Sequence, residues 1–255
     1  MVVASPTLHA VVVCSFDLEI IANRLDGYWH PMKRKPTPAQ EVSLQKLFYG
    51  NHIDREQVIS SHRPEMQAAL RQLVKTNVNT DNLFGILFRD LLRAHKEMQQ
   101  NPDDQFWRRT TIRAFAATVD GIIFCLKQTA LVAGEVADYQ FTDYERFFLT
   151  EEKGDGTKKF RLPPFVENAK ETFKLFAKVH GVSCPVDFGS SGFRAFCQTY
   201  ELRHRLIHPK SYMTFCVTDE ERDGSRNAAA WLQREIYKLI DACSAGIDQK
   251  FGSHH

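Results

Sequence analysis

"DQFWRRTTIRAFAATVDGIIFCLKQTALVA", residues 104–133, is the stretch whose reading decides the fold. Ile112, Phe115, Ala116, Val119, Ile122, Ile123, Leu126, Ala130 and Ala133 return at steps of three and four. That is the period of an α-helix with one broad apolar face. Arg108, Arg109 and Arg113 lie off most of that face. Asp103 and Asp104 after Pro102 suit a helix N-terminus, and Gly134 suits its end. Arg108 and Arg109 are expected on an exposed first turn, with a contact to an RNA backbone as the alternative. A helix this apolar needs other helices or a sheet to cover it, and strand signals elsewhere are few.

Working outward, the same period returns in "PFVENAKETFKLFAKVH" (164–180), with proline at the entry and Gly181 at the exit. It returns again over about 190–208, from "SSGF" to the stop at Pro209, and over about 225–249. In that last segment Trp231, Ile236, Leu239, Ile240 and Cys243 form the expected inner face. Upstream, helices are expected at about 8–25, 38–49, 64–75 and 82–99. "HPMKRKPTP" (30–38) reads as a basic connector, "KTNVNTDN" (75–82) as a turn, and "TEEKGDGTKKFRLP" (150–163) as an exposed loop. A boundary near "QQNPDD" divides the chain into a helical region 1–102, a four-helix bundle 103–251 and a short tail 252–255 that resembles a purification tag. The expected class is all-α.

The whole chain bounds the functional choices. Its 255 residues include 33 basic and 31 acidic ones, a net charge of +2. A generic polyanion binder is therefore not indicated, and any such site must be a local patch. The six cysteines are scattered without a CxxC pair, which points to reduced thiols and a cytoplasmic location. No spacing suits zinc, no Gly-rich phosphate loop is present, and no cofactor is implied. The N-terminal apolar stretch carries Asp17 and Glu19 and no basic flank, so it is not read as a signal peptide. No uninterrupted apolar run suggests a membrane span. His95, in "RDLLRAHK", is expected on a charged surface.

The segment 190–208 carries the functional question. Phe193, Phe196, Cys197 and Tyr200 form an inner stripe, and continuing it by the same steps lands on Arg203, His204 and Ile207. The stripe thus turns cationic in its last turns. A buried, unpaired guanidinium is expensive, so the expectation is a carboxylate partner, a second subunit or a polar cleft. Asp120, which interrupts the run "AATVDGII", either reaches Arg203 as an orienting carboxylate or serves another polar group or solvent; the second is the default. His204 and His208 are four apart, but with no intervening glutamate and no third ligand they are not assigned a metal. In the plainest reading, "RHRLIHPK" is a solvated helix C-terminus whose basic groups satisfy the last carbonyls.

A long aliphatic first helix, and a third helix ending Arg203-His204-Arg205-Leu206-Ile207-His208 before Pro209, resembles the HEPN superfamily over residues 103–250. The resemblance implies an all-α bundle that forms a homodimer. It also implies a metal-independent endoribonuclease whose Arg-x4-His motifs meet in a shared cleft. In that chemistry His208 takes the proton of the RNA 2′-OH, Arg203 holds the scissile phosphate, and His204 orients Arg203 or protonates the 5′-oxygen. Arg205, Lys210 and Tyr200 would then bind the RNA, Tyr200 or Tyr212 by stacking on a base. The family setting adds a toxin–antitoxin or phage-defence role with an antitoxin or regulatory partner, and no membrane. The alternative it allows is a non-catalytic module for dimerisation or for binding a nucleotide or partner protein. A structural or regulatory helical protein outside the family is the third reading.

Overall fold

The apolar stripe of residues 104–133 forms the central helix of the molecule. The computed structural model describes residues 64–150 and 162–251, and within them every regular element is helical. In chain order these are α1 (Pro64–Gln100), α2 (Gln105–Val136), α3 (Asp143–Thr150), α4 (Phe165–Val179), α5 (Ser191–Ile207), the one-turn α6 (Tyr212–Phe215) and α7 (Asp219–Phe251). The helices expected at 8–25 and 38–49, the connector at 30–38, most of the loop at 150–163 and the tail lie outside the described residues.

Helix α2 is the axis on which the others pack, with α1, α3, α4 and α5 against it and α7 closing over α5. Its start is set by Asp104, whose carboxylate accepts the Phe106 N–H at 2.7 Å. Its end is not Gly134. The helix runs to Val136, and Gly134 instead lets the Phe141 ring lie against the backbone, where a Cβ would collide with it. Over Gln105–Glu135 α2 is long and apolar enough to cross a membrane, yet 72% of its most apolar window is buried among the other helices. The hydrophobic surface is thus covered by the bundle itself.

The two helices expected at 64–75 and 82–99 are one continuous helix, and residues 75–82 do not form a turn. Asn and Thr are only mildly unfavourable in a helix, so neighbouring structure overrides a polar cluster of this kind. The turn at residues 101–104 brings α1 back along α2, where Leu91 enters the common core and Thr118 Oγ1 donates to the Leu87 carbonyl. His95, expected on the surface, is 1% exposed and hydrogen-bonded to Gln99. Its partner helices come from distant sequence and leave no local trace.

The main core is aromatic. Phe115, Phe193, Phe196 and Trp231 interlock through edge and tilted ring contacts, and Phe188 joins Phe173 to Phe193. The expected inner face of α7 is buried throughout, from Trp231 to Cys243. Helix α4 ends at Val179 and is closed by Gly181, which takes φ 76° and lets Val182 N–H bond back to Ala177. Two starts lie elsewhere than expected. Helix α3 was not anticipated, and α7 begins at Asp219 rather than near 225. Each opens on a reciprocal cap, Thr142 with Glu145 and Thr218 with Glu221.

A second, smaller apolar cluster of Ile112, Leu202, Leu206 and Val217, with Phe215 against it, lies beneath the C-terminal end of α5. It fixes the position of the cationic segment.

Candidate functional site

Helix α5 begins where the sequence indicates, with the Ser190 hydroxyl accepting the Phe193 N–H, and ends at Ile207 before His208 and Pro209. Its buried face does not continue along the expected line. Phe193, Phe196 and Tyr200 are buried as anticipated, but the face then passes through Thr199, Leu202 and Leu206. The first part of the helix packs on the aromatic core and the last on the smaller cluster, so the buried side shifts by about one position. Arg203 and His204 therefore leave the core instead of turning it cationic. The Arg203 side chain keeps 29% of its surface, Ile207 is 43% exposed, and His204 and His208 are exposed.

This end of α5 is held by contacts that use neither the Arg203 nor the His208 side chain. Arg113 Nη2, from α2, donates to the Leu206 carbonyl at 3.3 Å. Arg109 and Arg113 both lie against the Phe215 ring. The backbone of Val217 exchanges two hydrogen bonds with the Gln105 amide, at 2.8 and 2.9 Å, and also accepts from Arg108. Arg108, expected on an exposed first turn, is 5% exposed. It donates to Pro102 and Val217 carbonyls and pairs with Asp103 and Asp219.

Arg205 belongs to the same bracing. Its Nη2 sits 2.8 Å from both Glu221 oxygens and 3.2 Å from the Cys216 carbonyl. Five residues per 500° of turn separate Arg203 from His208, whereas Arg205 points to the far side of α5 from Arg203. Its place in the phosphate-binding rim is corrected accordingly: the guanidinium ties α5 to α7.

Around Arg203 the partners come from α2 and α5. Asp120 Oδ1 accepts the Tyr200 hydroxyl at 2.8 Å, and its Oδ2 lies 3.7 Å from Arg203 Nη2. The default reading of Asp120, a partner for another polar group, is met by its hydrogen bond to Tyr200, and its second oxygen also reaches Arg203 as an ion-pair partner. The Arg203 contact is longer than a hydrogen bond, so the guanidinium is tethered electrostatically and keeps donors unused. Burial first, and the Asp120 hydrogen bond next, push the Tyr200 phenol up to about 12. It remains a donor to Asp120 at any physiological pH.

Tyr200 cannot stack on a base as expected. It is 7% exposed, with the Phe165 ring parallel over one face and His204 edge-on nearby. Its role is to hold Asp120. His208 and Lys210 are exposed, and their side chains make no hydrogen bond or ion pair with the described residues. Beyond them, Tyr212 and Met213 on α6 are 78% and 75% exposed. Among the described residues, no three His, Cys, Asp or Glu side chains gather in a metal-binding arrangement.

Sequence reasoning missed a second feature. A cleft of about 480 Å³ opens between α2 and α4 on the other side of Asp120 and Tyr200, lined also by Phe124, Gln128, Phe165 and Asn168.

Comparison with known proteins adds no relative. The chain matches no family model, and no curated protein or solved structure matches it significantly. The sequence motif, the all-α fold and the geometry above are therefore the basis for a functional reading.

Proposed function

We propose that the protein is a metal-independent endoribonuclease of HEPN type, acting as a homodimer whose Arg203 and His208 sites face each other. The observation that carries this reading is the state of the α5 end. Arg203 is partly exposed and loosely tethered, while His208, at the end of the same helix, is exposed and unengaged. The plain alternative, a solvated cap, has less to support it, because Arg113 rather than a motif residue satisfies the Leu206 carbonyl.

In the proposed reaction a neutral His208 accepts the proton of the RNA 2′-OH as that oxygen attacks the adjacent phosphorus. Arg203 donates to the non-bridging oxygens, where negative charge accumulates. The bond from phosphorus to the 5′-oxygen breaks, and His204 supplies the proton that the leaving oxygen needs. The products are a 2′,3′-cyclic phosphate and a 5′-hydroxyl. Asp120 sets the direction of Arg203, and Tyr200 sets that of Asp120. Lys210 steers the RNA backbone, and the second subunit covers Ile207, Tyr212 and Met213. A cytoplasmic location and an antitoxin or regulatory partner that masks this surface belong to the same proposal.

One observation favours the second reading, a non-catalytic module that dimerises or binds a nucleotide or partner protein: the Asp120 carboxylate already occupies part of the Arg203 charge. The two are separated by incubating mixed RNA with the purified chain in excess EDTA, beside Arg203→Ala and His208→Ala. The nuclease reading expects cleavage by the wild type alone, with cyclic-phosphate ends. Equal cleavage by all three removes these residues from the chemistry, and no cleavage by the wild type leaves the binding module.

A further inference from the structure

The cleft between α2 and α4 has a composition unlike that of the motif beside it. At about 480 Å³ it is of the size of small-ligand sites. Its polar lining includes two neutral amides, Gln128 and Asn168, and the Asp120 carboxylate, with Phe124 and Phe165 as apolar walls. Lys127 also lines it but is 3% exposed, with its ammonium engaged 4.2 Å over the Phe148 ring. A phosphate would meet the Asp120 carboxylate here, whereas a group carrying N–H donors would meet acceptors.

Two details bear on what the lining could hold. Asn168 Oδ1 is buried without a hydrogen-bond partner. A buried acceptor left unpaired is destabilising, and native proteins rarely keep one without a use. Phe124 is 51% exposed on a stretch of α2 whose neighbours Ile122, Ile123, Cys125 and Leu126 are all buried. A flat apolar ring, a second ring and an amide side chain lining one cavity, its oxygen unpaired in the wall, are what single-stranded RNA recognition uses: stacking for the base face and hydrogen bonds for the base edge.

We propose that this cleft binds one nucleobase of a single-stranded RNA, with Asn168 reading its edge and Phe124 lying against its face. The proposal rests on the nuclease reading for its placement. Asp120 lies on the wall between the cleft and Arg203, so a base seated here belongs to a nucleotide next to the scissile phosphate. The site would then give the enzyme a base preference at one position flanking the cut. The stacking role expected of Tyr200 passes to Phe124.

The test uses the full chain and the four nucleoside 3′-monophosphates, none of which can be cleaved, titrated by calorimetry. The wild type is expected to prefer some bases over others. Asn168→Ala should weaken the preferred base by about fivefold or more and level the preference. Phe124→Ala should weaken all four by about fivefold or more. Asn168→Ala should not lower the thermal unfolding midpoint, since its amide oxygen is unpaired in the free protein. Binding with this pattern but without RNA cleavage in EDTA would sustain the base site and overturn the nuclease reading. RNA cleavage with the same base preference in wild type and Asn168→Ala would overturn the base site and leave the nuclease reading standing. Absence of both binding and cleavage would overturn both.

Discussion

Arg108 and Arg203 lie on helices that pack together, and each faces a carboxylate, yet their surroundings are opposite. Arg108 is 5% exposed, donates to two backbone carbonyls and pairs with Asp219 at 2.6 Å. Arg203 keeps 29% of its side-chain surface and has one carboxylate oxygen at 3.7 Å. The first guanidinium has spent its donors on joining the start of α2 to the segment entering α7. The second has donors left. The difference separates a structural staple from a group able to take a ligand, and neither the charge of the residue nor its helix distinguishes the two.

The comparison makes its largest demand on stability at Arg108. Arg108→Ala strips the Pro102 and Val217 carbonyls of a charged donor and is expected to lower unfolding free energy by about 2–4 kcal/mol. Arg203→Ala should lower it by less than about 1 kcal/mol, as for other exposed pairs. Chemical denaturation of the two variants checks this, and equal losses would erase the distinction.

A comparable effect should come from pH. Burial, and then the charge of Arg226, lower the His95 imidazole from 6.5 to about 4. The unfolded chain therefore binds a proton near pH 6.5 that the folded chain refuses until about pH 4. Stability from this source is complete above pH 6.5 and falls as pH drops through that window. The loss by pH 4.5 is about 2–3 kcal/mol. Denaturation curves between pH 7 and 4.5 should show that fall, and His95→Gln should flatten it. An unchanged slope in the variant would place the sensitivity elsewhere.

The smallest effect belongs to the Arg205 brace. Both partners are about one-third exposed, so Arg205→Ala should cost about 0.5–1 kcal/mol. If the brace is only structural, RNA cleavage at a temperature where the variant is folded should keep its wild-type rate. A large loss of rate there would return Arg205 to the phosphate-binding rim.

What was legible in the sequence follows the range of the interactions. The periods of α2, α4, α5 and α7 are local, and so are the Asp104, Ser190 and Gly181 signals at their ends. The starts of α3 and α7 were legible too, since Thr142–Glu145 and Thr218–Glu221 both spell the reciprocal cap; the first precedes only the short run Phe147–Leu149, and the second stands in a polar stretch with no apolar run at once behind it. The burial of His95 and Arg108 was not legible. The partners of Arg108, Val217 and Asp219, and the charge that acts on His95, Arg226, are all more than 100 residues away. The end of α5 was half legible. Arg203 and His208 stood out, but the stripe extrapolated through Arg203 ignored that one helix can pack on two clusters. Leu202 and Leu206 follow the second cluster, and Arg203 is released by that shift. Asp120 was noticed as an interruption, while its partner Tyr200 lies 80 residues on. The α2–α4 cleft left no sequence signal, because Phe124 and Asn168 read as ordinary helix positions.

The central claim is that Arg203 is free to act where Arg108 is not. Its most direct test is the single-turnover rate of RNA cleavage in EDTA by the wild type and Arg203→Ala, at a temperature where both unfolding curves show fully folded protein. The account predicts a loss of about 100- to 1,000-fold without a shift in the unfolding midpoint. Equal rates, or a loss that only tracks unfolding, would contradict it.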